Sequence, residues 1–155
     1  MPDAPNKPIL LCYDGSDDAF RAIEFAGSLF PGSKAIVLSV WEKYGVLSGI
    51  QRVDDSLMQE AADQQAVDGC ERAIAAGLDA TPLAVEAEHG VDDAIIEAAD
   101  AQDALLIVMG TRGNTGIRSL LLGSVSHSVA HHARRPLLIV PSNPLAEARA
   151  EAKRG

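Results

Sequence analysis

The sequence predicts a doubly wound α/β fold: a Rossmann-like five-stranded parallel sheet with helices on both faces. Three observations predict it. Five short apolar runs alternate with four helical stripes along 155 residues. Several of those runs are apolar at consecutive positions, which suits strands covered on both sides rather than on one. Every pair of runs is joined by a helix-length connection, the requirement for right-handed crossovers between parallel strands.

Ile9 to Tyr13 reads as the first strand and closes at the turn Asp14-Gly15-Ser16-Asp17-Asp18. The helix after it has an inward stripe at Ala19, Ile23, Ala26 and Phe30, the spacing of one helical face. Ser16 is its expected N-cap, with Asp17 and Asp18 complementing the helix dipole. Pro31-Gly32 stops it. The second strand is Ala35 to Trp41, followed by a looser stretch from Glu42 to Asp55. A long helix then carries the stripe Met58, Ala62, Ala66, Cys70 and Ala73, with Gly77 as its C′ glycine.

Pro82 to Ala87 reads as a weaker strand at a sheet edge, with Pro82 tolerated there as its first residue. A short helix spans about Asp92 to Ala101, with Ile95, Ala98 and Ala99 facing inward. Ala104 to Met109 is the fourth strand, ended by Gly110. After a glycine-rich loop comes a helix with Val125, Val129 and Ala133 four apart; Arg134 and Arg135 suit its C-terminal end, and Pro136 closes it. Leu137 to Val140 is the fifth strand. From Asn143 onward the chain is rich in alanine and charge, and reads as either a frayed helix or a disordered tail. Residues 1–143 are thus expected to form a single domain and residues 144–155 a C-terminal tail.

Composition excludes several classes. Apolar residues make up 47% and charged ones 23%, as in ordinary globular domains rather than disordered chains. The net charge of −9 repels phosphate backbones and anionic lipid, and six aromatics are too few for a base-stacking platform. No nucleic-acid partner and no membrane partner is expected. The apolar run at Ile9 is too short for a signal-peptide core, and no stretch approaches the ~20 apolar residues of a membrane span. Cys12 and Cys70 lie far apart without a metal-binding or disulfide context. Two reduced thiols in a cytoplasmic protein are the expectation.

In such sheets ligands lie beyond the C-terminal strand ends, where the winding reverses. Two loops qualify: Tyr13-Asp14-Gly15-Ser16 after the first strand, and Gly110 to Ser124 after the fourth. Glycines let backbone N–H groups approach an anion closely. A helix start at Gly123-Ser124 would add free donors and the positive end of the macrodipole. Arg112 and Arg118 could neutralise phosphate charge. The loop is neither a Walker loop, since no Gly-Lys-Ser/Thr closes it, nor a GxGxxG fingerprint. Taken alone, the glycines could equally do no more than shape a long connection.

The spacing Gly110-x2-Gly113-x9-Gly123-Ser124 resembles the Gly-x2-Gly-x9-Gly-(Ser/Thr) motif of the ATP-binding branch of the universal stress protein family. The likeness extends over nearly the whole chain, through Ile9 to Ser16, Val108 to Gly113, Leu122 to Ser126, and Ala133 to Val140. It implies a sheet in the order 3-2-1-4-5. It implies that Cys12, Tyr13 and Asp14 meet the adenosine part of ATP and that Val40 lies near adenine. Met109, Gly110 and Gly113 would line the ribose and inner phosphates, and Gly123, Ser124 and Val125 the outer phosphates. To these Arg112 is added by its charge and position. The resemblance further implies Mg2+ accompanying ATP and a homodimer paired through Leu137 to Val140. Cys12 and Tyr13 are bulkier than the residues common before the family's Asp; only backbone is needed there, so binding is expected to persist, but the ring could reshape the adenine pocket.

His127 and His131 stand four apart on the last helix but opposite Val125 and Val129, so a solvated pair is expected rather than a metal site. His132 is expected on the apolar side, packed or interacting with the helix dipole. His89 is expected to be a plain loop residue, and the pairs Asp17-Asp18 and Asp54-Asp55 to cap helices. The function implied is that of an ATP-binding sensor or adaptor in stress response, with no catalytic residue assigned. The alternatives are a slow ATPase or phosphotransferase using the same pocket, and a nucleotide-independent protein-interaction module.

Overall fold

In the computed structural model, which describes residues 6–43, 54–111 and 123–154, five parallel strands make one sheet. They are β1 (Ile9–Cys12), β2 (Lys34–Trp41), β3 (Asp79–Glu86), β4 (Leu106–Gly110) and β5 (Leu137–Val140), in the order β3-β2-β1-β4-β5. The helices are α1 (Asp17–Leu29), α2 (Asp55–Ala75), α3 (Val91–Ala101), α4 (Ser124–His132) and α5 (Asn143–Arg154). The expected sheet order is the observed one.

Alternation along β1 explains why its sequence is apolar without a break. Ile9 and Leu11 enter one core with Ala22, Ile23 and Ala26 of α1 and Cys70 and Ala73 of α2. Leu10 enters the opposite core with Ile95 and Ala99 of α3 and Val129 of α4. The two helix pairs therefore cover opposite faces, and β1 is buried between them. Winding runs from β1 through β2 to β3, then crosses back to β4 and β5 on the other side. The β1–β4 boundary is the topological switch point, and its C-terminal edge is where a crevice must open.

Helix starts follow the expected chemistry. Ser16 caps α1, its Oγ accepting from Ala19 N at 3.2 Å, with Asp17 and Asp18 in the first turn. Asp54 caps α2 by accepting from Ser56 N at 3.1 Å. Gly77 takes φ +95 just past α2, the left-handed region that glycine enters without a Cβ penalty. In α1, Gly27 allows close approach to α2, because a Cβ there would overlap the Ala76 carbonyl.

Two strand starts need correction, and one pair of arginines has partners that the sequence does not show. Strand β3 begins at Asp79, so Pro82 lies inside it, opposite Val37, rather than at its start. An edge strand pairs on one side only, so the missing N–H can face the open side. Strand β4 runs Leu106–Gly110 rather than from Ala104, because Ala104 N still bonds to Ala99 O in the turn after α3. Arg134 and Arg135 do more than neutralise the end of α4. Arg135 donates to Asp103 Oδ1 at 2.8 Å, to Asp100 Oδ1 at 3.2 Å and to Ala104 O at 2.9 Å, while Arg134 pairs with Asp100 at 2.6 Å. They fasten the α4–β5 connection to the end of α3.

The segment from Asn143 is the helix α5. Its run of Ala, Glu, Arg and Lys has high intrinsic helix propensity, and Pro144 is tolerated in a first turn. Arg21 of α1 donates from Nε to Pro141 O at 2.8 Å, fixing the exit from β5.

Candidate functional site

A cavity of about 220 Å³ lies at the C-terminal edge of the sheet, between the ends of β1 and β4. That is close to the lower end of the ~300–1000 Å³ typical of small-molecule sites. Its walls come from four places: Cys12, Tyr13 and Asp14 after β1, Leu38 and Val40 of β2, Met109, Gly110 and Thr111 at β4, and Gly123 to Ser126 at the start of α4. Ala19 of α1 and Ile95 of α3 complete it. Nine of the eleven residues named from the sequence thus meet in one place. The other two, Arg112 and Gly113, lie outside the described residues, as do Arg118 and residues 44–53 of the looser stretch.

The turn after β1 is held by short-range bonds. Asp14 Oδ1 accepts from Ser16 N at 3.0 Å, and Gly15 takes φ +82 between them. Tyr13 N donates to Leu38 O at 2.9 Å, extending the β1–β2 ladder by one residue. Ser39, fully buried and the one polar residue between Ala35 and Trp41 of β2, donates from Oγ to Tyr13 O at 2.9 Å and lies 3.1 Å from Gln65 Oε1 of α2. The backbone of Tyr13 is therefore set from both directions. Its ring is buried in the core covered by α1 and α2, against Val37 and Gly69. Cys12 packs into the opposite core.

Burial, and then the nearby Asp14 carboxylate, push the Cys12 thiol up to about 12. It is neutral near pH 7 and is no nucleophile there. Among the described lining residues Asp14 is the sole carboxylate, and none is Lys, Arg or His. No group of three or more His, Cys, Asp or Glu suited to a metal ion occurs among the described residues.

The ends of the long loop are tied together by Thr111. Its carbonyl oxygen accepts from Gly123 N at 2.8 Å and from Ser126 Oγ at 3.0 Å. Ser126 Oγ also lies 3.0 Å from Gly123 O. Gly123 is the N-cap of α4 and supplies no side-chain cap, so the first-turn N–H groups of this helix face the cavity edge without one. Gly110 has a packing reason of its own. A Cβ there would come within 3.0 Å of the backbone carbon and oxygen of Asp18, so the residue lets the first turn of α1 sit on the end of β4.

Thr111, Ser126, Ser39 and Gln65 were not singled out from the sequence. Their signals are slight: a hydroxyl directly after Gly110, another in the first turn of α4, and a serine interrupting an apolar run. The histidines lie away from the cavity. His127 and His131 are exposed, with ring centroids 4.6 Å apart. His132 is exposed rather than packed, because it sits at the last residue of α4, where Nδ1 donates to Ser128 O at 2.9 Å. His89 is exposed in the turn before α3.

Comparison with known proteins agrees with this geometry. The profile of the universal stress protein family matches residues 5–141. A universal stress protein of Thermus aquaticus is 36% identical over 138 residues, covering 86% of this chain and 98% of that protein. A crystal structure of a universal stress protein in complex with cAMP superposes with a TM-score of 0.67 at 26% identity, covering 88% of this chain and 97% of the other. The Archaeoglobus fulgidus universal stress protein in complex with dAMP shares the fold, with a TM-score of 0.66 at 22% identity over 87% of this chain and 98% of that one. With its sheet order, its glycine spacing and this match along nearly its whole length, the chain belongs to the universal stress protein family.

Proposed function

We propose that this chain binds ATP in the cavity between β1 and β4 and acts as a nucleotide-dependent sensor or adaptor in stress response. One observation carries the reading: the Asp14 turn and the α4 N-terminus, which has no side-chain cap, converge on a single cavity at the switch point of the sheet. Backbone donors and a positive helix end suit phosphate, and the apolar wall of Leu38, Val40, Ile95 and Met109 suits a purine face. The relative solved with cAMP supports an adenine nucleotide as the ligand class.

In this reading Cys12, Tyr13 and Asp14 contact adenosine, Val40 lies near adenine, and Met109, Gly110 and Gly113 border the ribose and inner phosphates. Gly123, Ser124 and Val125 receive the outer phosphates, with Arg112 balancing their charge. Asp14 is the described cavity residue that could help hold a Mg2+ accompanying the phosphates, where the ion would balance their charge. Asp14 is the described carboxylate within the cavity, and one of its oxygens already accepts from Ser16 N. Residues 1–143 form the nucleotide-binding domain and the remainder a C-terminal tail in this proposal.

The molecule works in the cytoplasm in this proposal; no helix among the described residues is long and apolar enough to cross a membrane. Two copies pair through β5, an edge strand of the sheet with one unpartnered side. Sedimentation equilibrium tests the pairing: a mass of two chains is expected, and a monomer across micromolar concentrations contradicts it. Isothermal titration with Mg-ATP tests the ligand, with saturable binding near one site per chain as the expected outcome.

A further inference from the structure

We infer that the Thr111 side chain is a ligand-contacting group, whose hydroxyl donates to a phosphate oxygen of the nucleotide bound beside the start of α4. The inference rests on the nucleotide reading above and adds to it a residue that the glycine motif does not contain.

Two independent observations lead to it. The first is an unmet buried donor. Thr111 is 1% exposed and lines the cavity, and its Oγ1 is the buried side-chain polar atom without a hydrogen-bond partner among the described residues. A buried hydroxyl left unpaired is costly and rare, and it persists where something else supplies the partner. The second is the helix end beside it. Gly123 gives α4 no side-chain cap, as Gly90 gives α3 none, but only the start of α4 lines this cavity among the described residues. Thr111 and the start of α4 border one cavity, and a turn of the Thr111 side chain about χ1 would let a single acceptor carrying several oxygens satisfy both.

The geometry of Thr111 also prepares it for that contact. Its carbonyl is held by Gly123 N at 2.8 Å and Ser126 Oγ at 3.0 Å, so its backbone is locked to the first turn of α4. A side chain on a locked backbone loses little freedom on binding. The proton of a threonine hydroxyl needs an acceptor, and a phosphate oxygen is acceptor-only. A hydroxyl donating to an ionised oxygen forms one of the stronger hydrogen bonds available to a neutral side chain.

The test uses the full chain in three forms: wild type, Thr111→Val, which keeps the shape and removes the hydroxyl, and Thr111→Ser, which keeps the hydroxyl. Thermal melting is measured without nucleotide, and titration calorimetry with ATP and with adenosine. Thr111→Val is expected to melt roughly 2–6 °C higher than wild type without ligand, since an unpaired buried hydroxyl has been removed. It is expected to bind ATP roughly 10- to 100-fold more weakly, with adenosine affinity little changed. Thr111→Ser should bind ATP within about threefold of wild type, a factor of ~0.65 kcal/mol.

Equal ATP affinity in wild type and Thr111→Val overturns the inference and leaves the nucleotide reading standing. So does a Thr111→Val protein that melts several degrees lower or fails to fold, because the hydroxyl would then already be serving the fold. An equal loss for adenosine overturns the phosphate contact. Wild-type protein that binds neither ligand removes the nucleotide reading and this inference together.

Discussion

The ring of Tyr13 lies directly over Gly69 of α2, so closely that a Cβ on Gly69 would stand 2.5 Å from Tyr13 Cδ1 and 2.9 Å from its Cγ. A glycine in mid-helix costs about 1 kcal/mol against alanine, and here it makes room for a large residue at the end of β1. The volume of the Tyr13 ring is accommodated in the core beneath α2.

Gly69→Ala is expected to destabilise the protein by about 1–3 kcal/mol, because overpacking outweighs the gain in helix propensity. Urea unfolding measures it. In a Tyr13→Ala background the same substitution should lose only part of that cost, leaving a non-additive pair, because Val37 Cγ1 would still stand 2.7 Å from the new Cβ. A Gly69→Ala protein as stable as wild type would contradict this packing.

The cysteines should be inert in the native state. The Cys12 thiol, pushed up to about 12, holds roughly a thousandfold less thiolate at pH 8 than a free cysteine. Burial also raises the Cys70 thiol, with Glu71 adding to it, and its Sγ donates to Ala80 O at 3.1 Å. Labelling with a thiol reagent at pH 8 should be correspondingly slow and become fast on denaturation. The sign on stability follows: above about pH 8.5 the unfolded thiols ionise while the folded Cys12 keeps its proton, so stability falls from there towards pH 12.

Acid should loosen the end of the sheet opposite the cavity. The hydrogen bond from Arg135, and then that from Lys7, hold the Asp103 carboxyl below its ordinary value. Its contribution is therefore present above the unfolded value of about 3.9 and is lost as pH falls through the lower folded value. Melting temperature between pH 6 and pH 2 should fall less steeply in Asp103→Asn than in wild type. Asparagine suits the test because Asp103 has φ +49, a region it tolerates well. Parallel curves for the two proteins would contradict the assignment.

If Gly113 borders the inner phosphates as proposed, Gly113→Val should abolish ATP binding while leaving the fold intact. Titration calorimetry and circular dichroism together check it. A folded Gly113→Val protein with unchanged ATP affinity would remove phosphate from that position.

How much could be read from the sequence depended on whether the cause was local. The core strands β1, β2 and β5 were legible to within a residue, because an unbroken apolar run has one use in a sheet covered on both faces. Strand β3 was shortened at its start because Asp79-Ala80-Thr81 carries little apolar signal and Pro82 looked like a boundary; pairing with β2 overrides both. Gly110 was legible as a site residue, but not the contact with Asp18 that also demands it. Gly69 gave no signal, because its reason is a tyrosine and a valine distant in sequence. Thr111 was hidden for a related cause: a hydroxyl beside a glycine shows neither its burial nor its lack of a partner, and both depend on where α4 begins.

The central claim is that the cavity between β1 and β4 holds an adenine nucleotide, and it is tested most directly by what the protein carries. Freshly purified protein is denatured and the released small molecules are identified by mass spectrometry, with the stripped protein then titrated against Mg-ATP. ATP or ADP at close to one per chain, with measurable rebinding, is the expected result. No nucleotide released and no rebinding would contradict the account and leave the glycine loop with a purely structural part in this fold.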